Sequence, residues 1–136
     1  MTTIFETTDA ASDTSTTYAM LAGDVFIGNL SQNALDWIAV TLVAGHSYSF
    51  GAVGLGAVGS GVTDPVLKLY SANGSVVLAQ NDDGGPGYCA DMTFTATSSG
   101  TFFIEVKSLS GAIDGDYGLV VTEGDRPAYG AELGVR

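Results

Sequence analysis

Asp36-Trp37-Ile38-Ala39-Val40-Thr41-Leu42, followed by Val43-Ala44-Gly45 and then His46-Ser47-Tyr48-Ser49-Phe50-Gly51-Ala52, is the stretch that decides the fold class. Side chains of an extended chain alternate between two faces. Ile38, Val40 and Leu42 therefore share one face of the first run, and Tyr48, Phe50 and Ala52 share one face of the second. Ala44-Gly45 is a turn signal between them, so the pair reads as a β-hairpin.

The same grammar continues outward in both directions. Downstream, Asp64-Pro65-Val66-Leu67-Lys68-Leu69-Tyr70 is a strand with Leu67 and Leu69 inward and Pro65 near its start, where no ladder donor is needed. Ser71-Ala72-Asn73-Gly74 is a hairpin turn, and Val76 to Gln80 returns from it. Met92, Phe94 and Ala96 face the core from the next strand. Phe102, Ile104 and Val106 then alternate against Phe103, Glu105 and Lys107, and Tyr117, Leu119 and Val121 line the last strand. Upstream, Thr17 to Ala22 and Val25 to Leu30 are two further strands. No stretch has helical periodicity. About eight or nine short strands with regular turns predict an all-β fold, an antiparallel β-sandwich of jelly-roll type. The domain spans residues 17–122. Residues 1–16, rich in Thr, Ser, Asp and Ala, read as a flexible N-terminal arm. Residues 123–136 read as a C-terminal tail or linker, because Arg126-Pro127 and Gly130 argue against further sheet.

Composition narrows the function. With 136 residues, 46% hydrophobic and only 14% charged, the chain is one globular domain able to bury a sizeable core. Its net charge of −11, with only four Lys and Arg, repels phosphate backbones and anionic lipid, so nucleic acid and membrane are not expected partners. The single cysteine, Cys89, excludes an intrachain disulfide. The start, Met1-Thr2-Thr3-Ile4-Phe5-Glu6, has no basic segment leading into an apolar one, so no cleavable signal peptide is visible. No apolar run is long enough to span a bilayer.

The stretch most suggestive of chemistry is Asn81-Asp82-Asp83-Gly84-Gly85-Pro86-Gly87-Tyr88-Cys89-Ala90-Asp91. Three carboxylates and a carboxamide share a loop that Gly and Pro hold out of regular structure. Like charges this close repel unless a cation sits among them, and oxygen donors on a loop suit Ca²⁺ before Mg²⁺. A solvated acidic turn is the plain alternative, since Asn, Asp and Gly form turns anyway. The loop matches neither an EF-hand nor a β-roll calcium repeat.

Catalytic signatures are lacking. The glycine-rich stretch Gly54 to Gly61 lacks the lysine and spacing of a phosphate-cradling loop. His46 is the only histidine, too few for a catalytic zinc site, and reads as solvated. Cys89 sits beside acids that disfavour its thiolate. Neither a Gly-x-Ser-x-Gly elbow nor a His-Glu-x-x-His motif occurs. Asp82 and Asp83 are adjacent in a loop, without a cleft for glycosidase chemistry. Asp36 reads as either a ligand or a turn cap before Trp37, with the cap preferred.

The order of signals from about Gly23 to Val121 resembles the bacterial pre-peptidase C-terminal domain family. The pieces are Leu35 to Phe50 as an Asp-Trp strand with an aromatic return strand, Asp64 to Tyr70 as an Asp-Pro strand, Ser71 to Gly74 with Asn81 to Gly85 as turn and acidic loop, and Gly100 to Val106 with Gly115 to Val121 as the last strands. The resemblance implies a calcium-assisted, non-catalytic accessory domain that is exported with a protease. Such a domain usually follows a catalytic domain. Here it begins near Met1, as in serralysin-like metalloproteases, whose C-terminal signal would explain both the missing signal peptide and the missing disulfide.

The expected metal set is Asp64, Asn81, Asp82, Asp83 and Asp91. Asp64 joins because the start of its strand and the acidic loop can lie at one end of a sandwich, and Ca²⁺ needs about six to eight oxygens. The main expectation is thus a secreted Ca²⁺-binding accessory domain, not an enzyme, partnered by a protease domain or by a protein or polysaccharide substrate. The alternative is a carbohydrate- or matrix-binding module using exposed aromatics at Trp37, Tyr70 and Phe103. A small hydrolase built on the acidic cluster is a remote third.

Overall fold

The structure is a computed structural model, and it describes residues 3–7, 10–11, 13–30, 35–54, 65–81, 90–108 and 116–124. In these residues ten strands form: β1 (Thr3–Phe5), β2 (Ala19–Met20), β3 (Val25–Asn29), β4 (Leu35–Leu42), β5 (Ser47–Gly54), β6 (Pro65–Tyr70), β7 (Val77–Asn81), β8 (Ala90–Thr95), β9 (Gly100–Ser108) and β10 (Asp116–Glu123). They make two five-stranded sheets, ordered β1-β3-β10-β5-β8 and β2-β4-β9-β6-β7. The all-β sandwich expected from the sequence is the observed architecture. It has ten strands where eight or nine were expected. Each sheet is also mixed, because β1 runs parallel to β3 and β2 parallel to β4. These two edge strands have only three and two residues, too few for a period of two to be readable.

The period of two places the core. Ile38, Val40 and Leu42 of β4, Leu67 and Leu69 of β6, and Phe102, Ile104 and Val106 of β9 turn inward from one sheet. Phe26 of β3, Tyr48, Phe50 and Ala52 of β5, Met92 of β8, and Tyr117, Leu119 and Val121 of β10 meet them from the other. Burying each large side chain of this set contributes about 1.5–3 kcal/mol. Ile104, at the centre of its sheet and fully buried, is one whose truncation to alanine is expected to cost about 2–5 kcal/mol.

β4 and β5 do not form the hairpin that their turn suggested. They lie in opposite sheets: β4 pairs with β9, and β5 pairs with β10 and β8. Both strands have one strongly apolar face, and an arch lets the two faces meet across the core, where a hairpin would set them side by side. The arch draws its hydrogen bonds from another turn. Gly45 N–H donates to the Ala96 carbonyl at 2.8 Å, and Ala96 N–H donates to the His46 carbonyl at 3.0 Å. Val43 N–H donates to the Tyr48 hydroxyl at 2.9 Å. Gly45 has φ of +84°, a conformation that suits glycine.

The β6–β7 hairpin does form, with Gly74 at φ +73° in its turn and a bulge between Leu69 and Tyr70. The stretch read as an N-terminal arm includes β1. There Glu6 N–H donates to the Ile27 carbonyl, and the Glu6 carboxylate accepts the N–H groups of Asn29 at 2.7 Å and Ala10 at 2.6 Å. Ala10 is buried. These ties are made mostly by backbone groups, which leave no apolar pattern in the sequence.

Asp36 is not a turn cap. It lies within β4, fully buried on the inward face, and accepts a hydrogen bond from the Tyr117 hydroxyl of β10 at 2.8 Å. This contact links the two sheets through the core. Tyr117 sits opposite Gly28 of β3 in the sheet register. The ring fills the space a side chain at Gly28 would need, since an added Cβ would lie 2.5 Å from Tyr117 Cζ and 2.8 Å from the Phe26 ring.

Candidate functional site

β7 and β8 are the edge strands of opposite sheets on the same side of the sandwich. The acidic stretch joins them, so the fold anchors both of its ends. Asn81 closes β7 and Asp91 is the second residue of β8. Asp91 N–H donates to Asn81 Oδ1 across 3.5 Å, a long contact. Both residues are half-buried. Leu67 of β6 is the register partner of Asn81, so Pro65, where β6 begins, lies at the same end of that sheet. Of the five expected metal ligands, Asn81 and Asp91 are thereby brought together. Asp64, Asp82 and Asp83 lie outside the described residues, as do Cys89 and the glycine-rich stretch 55–61.

A hard cation fits the chemistry of this donor set, which is oxygen throughout. Two described residues are fewer donors than Ca²⁺ takes. Among the described residues no group of three or more His, Cys, Asp and Glu is placed to hold a metal ion.

Trp37, Tyr70 and Phe103 also come together, on the outer face of the second sheet. Trp37 and Tyr70 stack with ring centroids 4.4 Å apart, and Phe103 lies 5.8 Å from Trp37. Sequence reasoning missed the group at their centre, Glu105. Its Oε1 accepts the Trp37 indole N–H at 3.1 Å and the Tyr70 hydroxyl at 3.3 Å. The signal was available in the alternation of β9, which sends Glu105 to the same face as Phe103. Tyr70's phenol is held above its usual pKa, first by desolvation and then by the charge and hydrogen bond of Glu105.

These aromatics are not the exposed strip that a binding platform requires. Trp37 and Phe103 are each only 7% exposed. The N-terminal segment covers Trp37: the Trp37 backbone N–H donates to the Ala11 carbonyl at 2.9 Å, and a Cβ added at Gly74 would meet both Thr14, at 2.6 Å, and the Trp37 ring, at 3.1 Å. His46 is exposed as expected, and its Nδ1 lies 3.1 Å from the Glu123 carboxylate.

No family model and no curated protein sequence matches the chain. Solved structures do. The pre-peptidase C-terminal domain of a collagenase from Bacillus anthracis superposes with a TM-score of 0.60 at 15% identity, over 77% of this chain and 93% of that domain. The fold is that of a pre-peptidase C-terminal domain. Two other solved structures superpose more loosely. One is PliG from Aeromonas hydrophila, a periplasmic inhibitor of g-type lysozyme, with a TM-score of 0.46 at 15% identity over 90% of this chain and 96% of that one. The other is a β-glucosidase from Paenibacillus barengoltzii, with a TM-score of 0.33 at 10% identity over 88% of this chain and 13% of that one. No helix among the described residues is long and apolar enough to cross a membrane.

Proposed function

We propose that this chain is a non-catalytic accessory domain of an exported protease system, and that it binds Ca²⁺ through Asn81, Asp82, Asp83 and Asp91 of the acidic loop together with Asp64. The observation that carries this reading is the superposition on the collagenase's pre-peptidase C-terminal domain, which accounts for 93% of that domain. The ordering of β6, β7 and β8 supports the metal part, since it sets Asn81, Asp91 and the start of β6 at one end of the fold. A cation there would offset the repulsion among loop carboxylates on a chain of net charge −11. The protease part rests on the fold likeness, and the non-catalytic part on the lack of a nucleophile–base pair in the sequence.

A carbohydrate- or matrix-binding role on Trp37, Tyr70 and Phe103 has weaker support, because two of the three rings are covered. Calorimetric titration of the EDTA-treated protein with CaCl₂ tests the proposal. The expected result is a single saturable site lost in Asp83→Ala and retained in Asp13→Ala. Heat indistinguishable from buffer dilution would leave only a structural turn.

A further inference from the structure

We propose that the open edge between β7 and β8 is a docking groove for a basic, extended peptide segment of a partner protein. The segment adds as a strand along β7 and seats one apolar side chain against Leu78, Phe94 and Phe102. At this edge, away from the acidic loop, lies a cavity of about 430 Å³. Its apolar wall is Leu78 with Phe94 and Phe102, whose rings meet edge to face at 6.2 Å. Ser71, Ser98 and Thr101 also line it. The volume suits one large side chain and falls within the range of ordinary ligand pockets.

β7 has the features of an edge made to be paired. Among the described residues it pairs with β6 alone. Edge strands are commonly protected by Lys, Pro, inward charges or a bulge; Val77-Leu78-Ala79-Gln80-Asn81 has no Lys, Pro or charge, and a bulge is its one such device. Val76, Val77 and Leu78 are consecutive and 53%, 42% and 37% exposed. Leu69 pairs with Ala79 but Tyr70 with Val77, so Leu78 is the extra residue of a bulge. Bulges re-aim side chains at sheet edges, and this one puts Leu78 on the cavity wall. The edges on the far side, β1 and β2, have only three and two residues.

Charge selects the occupant. Fifteen acidic residues against four basic ones would set two copies of this chain repelling each other, whereas a cationic segment is attracted. Strand addition supplies affinity through main-chain hydrogen bonds and selectivity through the pocket.

The test uses the intact chain with saturating calcium and a capped heptapeptide alternating four lysines with three leucines. Binding is read by fluorescence anisotropy, and the site is mapped by amide chemical shifts. Shifts are expected at residues 76–81 and along the cavity wall. Leu78→Asp is expected to weaken binding at least about tenfold, although it adds charge that attracts the peptide. Ser98→Trp, which fills the cavity from an exposed turn, should do the same if Leu78→Asp fails to fold. Leu21→Asp, at an exposed site elsewhere, should change nothing. The proposal is overturned if a backbone N-methylated peptide binds equally well, since charge alone would then suffice. It is also overturned if the shifts map elsewhere, or if sedimentation shows β7-dependent self-association, which would make a second copy the occupant.

Discussion

Gly28→Ala tests the packing that joins the two sheets. Gly28 does not have positive φ, so its backbone would accept alanine without strain. In open space the substitution would stabilise by about 0.4–1 kcal/mol, by restricting the unfolded chain. The site is not open. The new Cβ would lie 2.5 Å from Tyr117 Cζ and 2.8 Å from the Phe26 ring, and both rings are fully buried. Overpacking of this kind costs about 1–3 kcal/mol. Tilting the Tyr117 ring also breaks its hydrogen bond to buried Asp36, which adds about 1–3 kcal/mol. The net expectation is a loss of about 2–5 kcal/mol, a large part of a stability of about 5–15 kcal/mol. In a chain of this length that is a fall in melting temperature of roughly 8–20 °C. Urea unfolding followed by circular dichroism measures it. Gly45→Ala is the comparison, because nothing lies within 4 Å of its added Cβ but its φ is +84°. It should lose only the backbone strain of about 1–2 kcal/mol. A Gly28→Ala protein within about 0.5 kcal/mol of wild type, the usual spread for innocuous substitutions, would refute this packing.

Two further outcomes are expected. Tyr70's raised pKa means that the folded phenol keeps its proton beyond the usual value of about 10. The unfolded chain ionises first, so the Tyr70 contribution is full below about pH 10 and lost as pH rises through the folded value. Absorbance titration at alkaline pH should show a late tyrosine component that moves to lower pH in Glu105→Gln, and an unmoved titration would remove Glu105 as a cause. The isolated chain should not hydrolyse casein, collagen or common polysaccharides; turnover that survives repurification and disappears in Asp83→Asn would end the non-catalytic reading.

The strands with a clean period of two were legible. β4, β6, β9 and β10 lie where their alternating residues place them, and Leu67, Ile104 and Leu119 are core residues as that pattern implies. Which strands pair was less legible, because alternation says which face is buried and not which neighbour completes the ladder. Ala44-Gly45 therefore looked like a hairpin turn, while its backbone bonds to Ala96 in a turn far along the chain. Asp36 was misread for a related reason. A buried carboxyl depends on a donor 81 residues away, and nothing local marks Tyr117 as that donor. The aromatic trio was found as residues but not as a covered cluster, since the cover comes from Ala11 and Thr14 in a stretch without apolar pattern. At the acidic stretch, Asn81 and Asp91 were read as loop residues, whereas they belong to β7 and β8; polar residues near strand ends carry no apolar alternation to mark them.

Thermal unfolding with and without calcium tests the central claim most directly. A Ca²⁺ ion bound only by the folded state stabilises it by about 2.7 kcal/mol when calcium is roughly a hundredfold above Kd. In a domain of this length the melting temperature should rise by about 5–10 °C. EDTA should reverse the rise, and magnesium should do less because it demands tight octahedral geometry. Asp83→Ala and Asp64→Ala should each abolish the response, while Asp13→Ala keeps it. A wild-type melting curve that millimolar calcium leaves unchanged would contradict the claim and leave the loop a turn.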